Sequence, residues 1–135
     1  LLRTFLKSPF INEVEVDIVP GISSVQVCAA RLRLCWDNID LISFHEGVIP
    51  EKKEQLAELI KKGKTVFVLP DPKTFTPRDI VMFLIKSGID KATQVAICEN
   101  LTLSNERIIQ TTLGEAAKID TSSLSVMVIK AKLEE

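Results

Sequence analysis

The chain holds a single histidine, His45, in the run "SFHEGV", where Glu46 and Gly47 follow it. An imidazole titrates near neutrality, so a histidine beside a carboxylate at a chain bend suits general acid or base work. With no partner identifiable by spacing, the same histidine suits a surface or structural hydrogen bond equally well. Three cysteines, Cys28, Cys35 and Cys98, are the other soft nucleophiles. No two of them have the short spacing of a zinc knuckle or a redox motif. Cys28 and Cys98 fall on apolar faces, where small buried side chains are expected, so neither metal ligation nor thiol catalysis is expected.

The backbone offers a different chemistry. In "DIVPGISSVQVCAARL", residues 17–32, an apolar run ends at Pro20 and Gly21, two serines follow, and a helical pattern begins. The first turn of a helix leaves N–H groups without intrahelical acceptors. The amides of residues 22–25, with the hydroxyls of Ser23 and Ser24, would suit a polar or anionic group, although a capped helix without a ligand uses the same residues. Two more loops, "LPDP" at residues 69–72 and "ENLTLSNE" at residues 99–106, also follow apolar, β-rich runs. Asp71 in the first of them would equally close a turn beside its proline. Ligands in open α/β sheets settle at the carboxyl ends of strands, so the three loops are expected to share one rim.

The elements that must position these loops are well punctuated. Residues 1–7 read as the end of an amphipathic helix, stopped before Ser8 and Pro9. "VEVDIVP", residues 14–20, alternates apolar and acidic side chains and predicts a strand. Over residues 23–34, Val25, Cys28, Ala29 and Leu32 recur at helical spacing, with Ser23 or Ser24 as N-cap. Further strands are predicted at residues 40–45, 64–70, 93–100, 106–113 and 125–131. The nearly continuous apolar character of residues 64–70 suits a strand covered on both faces. "PEKKEQLAELIKKG" sets Pro50 and Glu51 early, Lys61 and Lys62 late, and Gly63 just past the end of a helix. "TPRDIVMFLIKSG" repeats that grammar, with Thr76 as N-cap, Pro77 in the first turn and Gly88 as stop. A short helix at most is expected at residues 114–118. The alternation predicts an α/β fold with a mixed, mostly parallel sheet flanked by helices and an antiparallel edge made by the final strands.

With 46% hydrophobic and 26% charged residues, the 135-residue chain can build the core of one ordinary domain. A formal net charge of -1 gives no basic field for phosphate backbones, and 5% aromatic residues make no stacking surface, so nucleic acid is not an expected partner. No apolar run approaches the roughly 18 residues of a bilayer span, so a membrane is not expected either. The cysteine usage, with no signal peptide, reads as cytoplasmic. All five glycines are isolated, which leaves no glycine-rich phosphate loop and no dinucleotide fingerprint.

Taken in order, "IVPGISSVQVCAARL", Trp36-Asp37, "SFHEG", "VFVLPDP", "TPRDIVMFLIKSGI" and "VAICENLTLSNERI" resemble the tetrapyrrole (corrin/porphyrin) methylases, and within them the branch that methylates carbon C5 of a cobalt-precorrin or precorrin in cobalamin biosynthesis. The resemblance runs over nearly the whole chain. It implies two α/β domains that enclose S-adenosylmethionine, the methyl donor, in the cleft between them. It further implies that Ser23 and Ser24 lie against that cofactor, that Leu69, Pro70, Asn100 and Leu101 supply the second domain's side of its pocket, and that Glu106 orients it. His45 falls where this branch carries a histidine facing the tetrapyrrole and is the catalytic candidate, with Glu46 as an alternative proton acceptor. The family's amino-terminal glycine-proline-glycine loop and its later glycine-aspartate-proline motif have no counterpart here. The resemblance therefore divides the chain into residues 1–34, the end of the first domain, and residues 35–135, the second, with a homodimer as the assembly. Such a carboxyl-terminal fragment is expected to be inactive alone. The competing expectation is a non-catalytic α/β binding or dimerisation module.

Overall fold

Helix ends are where the sequence acts most directly on this fold. Thr76 accepts a hydrogen bond at Oγ1 from the Asp79 N–H at 3.3 Å, while Asp79 Oδ2 accepts one from the Thr76 N–H at 2.9 Å. This reciprocal cap, with Pro77 at the first helical position, starts the helix Pro77–Lys86. Gly88 stops it just past the C-cap Ser87, with a φ of +86° that favours glycine, and the Ile89 N–H then turns back to the Leu84 carbonyl at 3.0 Å.

The computed structural model describes residues 4, 6–35 and 39–130. After a single 3-10 turn at Ile11–Glu13 come α1 (Ser24–Leu32), β1 (Ile39–Ser43), α2 (Pro50–Lys61), β2 (Thr65–Leu69), α3 (Pro77–Lys86), β3 (Gln94–Glu99), β4 (Arg107–Thr112), α4 (Leu113–Ala116) and β5 (Ser125–Lys130). Of the predicted helix at residues 1–7, residues 1–3 and 5 lie outside the described ones, as do Trp36 and Asp37.

The strands form one sheet in the order β1-β2-β5-β3-β4. β1 and β2 pair in parallel, from Ile39 opposite Thr65 to Ser43 opposite Leu69. β5 is antiparallel to both β2 and β3, and β4 is antiparallel to β3. The mixed α/β class is thus the expected one, but the mostly parallel pairing is not. β1, β2 and β3 run the same way, as helical crossovers demand, yet β5 inserts between β2 and β3 and turns both of those ladders antiparallel. The antiparallel edge is β4 alone. Val126, Met127, Val128 and Ile129 are all buried, and such a run fits a central strand covered on both faces.

Alternation across the sheet divides the core. Val66 and Val68 of β2, with Ile97 of β3 and Met127 and Ile129 of β5, face a large cluster roofed by Leu56 and Ile60 of α2 and Ile80 and Leu84 of α3. Phe67, Ala96, Cys98, Val126 and Val128 point the other way, where Val25, Cys28 and Ala29 of α1 cover them.

The predicted strand at residues 14–20 does not form. Val14, Val16, Ile18 and Val19 are exposed, and no strand pairs with the segment among the described residues. Alternation is a necessary signal for a strand but supplies no hydrogen-bonding neighbour, and without one the backbone turns to water. Gly21 has no positive φ, and a Cβ there would meet open space, so the Pro20-Gly21 bend does not depend on glycine. Among the described residues no helix is long and apolar enough to cross a membrane.

Candidate functional site

β1, β2 and β3 all end at one edge of the sheet, and β5 begins there because it runs the opposite way. The start of α1 leans over the same edge. Between them opens a cleft of about 240 Å³. Ser24 comes from the first turn of α1, His45 from just past β1, Leu69 from the end of β2, and Asn100 and Leu101 from the loop after β3. Leu69, Leu101, Leu103, Leu124 and Val126 give the cleft apolar walls, while Ser24, Asn100, Ser123 and Ser125 supply polar groups. A mostly apolar concavity with a few convergent polar groups is the usual make-up of a small-molecule site.

Five of the residues singled out from the sequence, Ser24, His45, Leu69, Asn100 and Leu101, meet in this cleft. Two do not line it. Pro70 is buried behind the end of β2. Ser23 is the N-cap of α1: its Oγ accepts from the Val25 N–H at 3.1 Å, and its own N–H donates to Gln26 Oε1 at 3.0 Å. The expectation that the amides of residues 22–25 stand free is therefore corrected at Ser23 and Val25, whose N–H groups the helix cap has already satisfied. Cys98, Leu103 and residues 123–126 also line the cleft. The last group could have been found from the sheet order alone, since an antiparallel β5 next to β3 must bring its preceding loop to the carboxyl end of β3.

The wall after β3 is held in an unusual shape. Asn100 and Thr102 both have positive φ, 50° and 70°, and for a β-branched threonine that conformation is strained by about 1–3 kcal/mol. Carboxylates hold it in place. Glu106 accepts from the Thr102 N–H at 2.7 Å and from Arg31 Nε of α1 at 2.8 Å. The Arg31 hydrogen bond, followed by that from Thr102, keeps the Glu106 carboxyl below its ordinary titration range. Glu99 is buried at the end of β3, where it accepts from Arg107 Nε at 2.7 Å and from the Ser122 N–H at 2.6 Å. Ser122 Oγ in turn bonds Asn100 Oδ1 at 3.1 Å, and the Asn100 N–H donates to the Leu124 carbonyl at 2.9 Å. Two buttresses thus stand behind the cleft: Glu106 ties its wall to α1, and Glu99 ties it to the loop that enters β5.

His45 is exposed at the rim, with its N–H donating to Ser43 Oγ at 3.4 Å. Asp71 is engaged in its own turn. The N–H groups of Thr74 and Lys73 donate to its Oδ1 at 2.7 and 2.8 Å, and these bonds, Thr74 first, lower its pKa, with a smaller contribution from the nearby His45. Among the described residues no group of three or more histidine, cysteine or acidic side chains is placed to hold a metal ion. The site can therefore embrace an apolar molecule with a few hydrogen-bonding groups and offers one imidazole at its mouth.

Comparison with known proteins adds to this geometry. The family model described as Tetrapyrrole (Corrin/Porphyrin) Methylases matches residues 8–117. A probable cobalt-precorrin-7 C(5)-methyltransferase of Methanocaldococcus jannaschii is 35% identical over 134 residues, 99% of this chain and 60% of that protein. The chain thus spans about three fifths of that relative's length. Among solved structures, the methyltransferase CobJ superposes with a TM-score of 0.75 at 13% identity, covering 97% of this chain and 57% of that one. Uroporphyrin-III C-methyl transferase from Thermus thermophilus, complexed with S-adenyl homocysteine, superposes with a TM-score of 0.65 at 19% identity, covering 90% of this chain and 55% of that one. At these identities the structural likeness is one of fold.

Proposed function

The chain belongs to the tetrapyrrole (corrin/porphyrin) methylases, and from that premise we propose that it forms the carboxyl-terminal part of an S-adenosylmethionine-dependent methyltransferase that acts on a ring carbon of a cobalt-precorrin or precorrin in cobalamin biosynthesis. The observation that carries the reading is the convergence of Ser24, Leu69, Asn100 and Leu101, from three separate segments, on one apolar-walled cleft. Residues 1–34 are the end of a first, cofactor-side lobe and residues 35–135 a second lobe, with α1 packed onto the second lobe's sheet. At about 240 Å³ the cleft is smaller than the roughly 300–1,000 Å³ of a whole small-molecule site, as one wall of a two-lobed pocket should be. The assembly is a homodimer in the cytoplasm.

Leu69, Leu101 and Val126 would pack against the adenosine and hydrocarbon parts of the cofactor, and the Ser24 hydroxyl and the Asn100 amide would fix its polar groups. When bound, that cofactor would supply a methyl group on a sulfonium sulfur, from which a neutral thioether departs readily. What the protein must add is alignment and exclusion of water rather than a strong base. The apolar walls exclude water, and the Glu99 and Glu106 buttresses hold the Asn100 wall in one shape. His45, at the open rim, takes the proton that leaves the methylated carbon or its neighbour.

Titration calorimetry tests the cofactor reading. S-adenosylhomocysteine should bind the chain, more tightly when the chain is extended at its amino end, and ATP should not. Binding of ATP in preference to the sulfur compound would overturn the reading in favour of a generic nucleotide module, and no binding by the extended chain would favour the non-catalytic module. His45→Ala in the two-lobed enzyme should slow turnover at least tenfold while leaving S-adenosylhomocysteine affinity within about twofold. Unchanged turnover removes His45 from the mechanism.

A further inference from the structure

Cys28 of α1 and Cys98 of β3 stand 70 positions apart in the sequence, yet the fold brings their sulfurs to 3.1 Å, with Cys28 donating its S–H to Cys98. Both side chains are fully buried in the apolar layer between α1 and the sheet. Buried thiols are ordinarily inert because nothing reaches them. Cys98 borders the cleft from within the core, its side chain without exposed surface, so an oxidant reaches the pair when the packing there opens locally. The third cysteine, Cys35, is exposed and takes no part in the pair. We propose that Cys28 and Cys98 are an oxidisable dithiol, a modification site at which a small hydroperoxide forms a disulfide that staples α1 to β3.

The two sulfurs have different tasks. The hydrogen bond from Cys28, helped by the charge of Lys130, favours the thiolate at Cys98 against the opposing effects of burial and Glu106. The same hydrogen bond, together with burial, keeps the proton on Cys28. The Cys98 thiolate attacks the peroxide, the O–O bond breaks, and the departing oxygen leaves as water or an alcohol once protonated, which gives a sulfenic acid at Cys98. Cys28 then attacks that sulfur: the S–S bond forms, the S–O bond breaks, and the hydroxide takes the Cys28 proton and leaves as water. Two thiols lose two electrons to one hydroperoxide, and a dithiol reductant reverses the change. This pairing does not depend on what the cleft binds.

The test is peptide mapping of the wild-type protein after hydrogen peroxide and alkylation, run without reductant. The expected result is one intrachain link between the peptides that carry Cys28 and Cys98, with the mass of two hydrogen atoms lost. The unfolding temperature should rise by about 5 to 10 °C and return with dithiothreitol. Cys35→Ser should behave like wild type, whereas Cys28→Ser should stop at a sulfenic acid on Cys98 that dimedone traps. Should Cys28 and Cys98 remain fully alkylatable after peroxide, or should the only link run through Cys35, the proposal fails. The wild-type map decides this even if the Cys28 variant does not fold.

Discussion

Two carboxylates decide the shape of the cleft, and each has a measurable signature. Removing Glu99 leaves the Ser122 N–H without its acceptor, so Glu99→Ala should lower stability by about 1–3 kcal/mol in urea unfolding, with Glu99→Gln losing less because one oxygen remains. Glu106 titrates below its ordinary value of 4.5 in the folded protein. A depressed acid contributes stability that is complete above its unfolded pKa and is lost as pH falls through the folded one. The tie between α1 and the cleft wall should therefore hold at neutral pH and weaken only below about pH 4.5, and the acid limb of the stability profile should flatten in Glu106→Gln. Little of this was legible beforehand. "ENLTLSNE" by itself reads as a polar loop; only the family resemblance singles out Glu106, and nothing points to Glu99 as an acid that turns inward. The accessible clue was register: once β3 and β4 are read as a hairpin, Glu99 falls opposite Arg107, a favourable cross-strand pair.

At the scale of elements the sequence was far more informative, because caps and stops are local chemistry. Thr76, Pro77 and Gly88 mark the ends of α3 to within a residue, and the prediction that follows is equally local. Thr76→Ala removes the acceptor for the Asp79 N–H and should cost about 1 kcal/mol, read as a lower denaturant midpoint with an unchanged slope. α2 has Ile49 at its N-cap, with no side-chain hydrogen bond, and relies on Pro50, so its start has no equivalent bond to lose. Strands are different, since a strand exists only with a neighbour. Residues 14–20 carry the pattern and make no ladder, while residues 125–130 carry an apolar run that suits either an edge or a centre until the neighbours are known. The same limit applies to Cys28 and Cys98, each readable as buried but not as a pair.

For the molecule as a whole, the position of β5 between β2 and β3 sets the order in which its parts loosen. Amides of Val126–Ile129, in a strand paired on both sides, should exchange with solvent most slowly, those of the edge strands β1 and β4 faster, and those of residues 14–22 fastest, as hydrogen-exchange mass spectrometry would read. Equal protection of residues 14–22 and β5 would contradict this assignment. The insertion also bears on how the protein is made. A ribosome delivers the β1-α2-β2 unit and the β3-β4 hairpin first, as two half-sheets whose inner edges, β2 and β3, stay raw until residues 125–130 emerge. A translational pause just before that point would leave two adhesive margins on every nascent chain, each able to recruit its neighbour on the polysome.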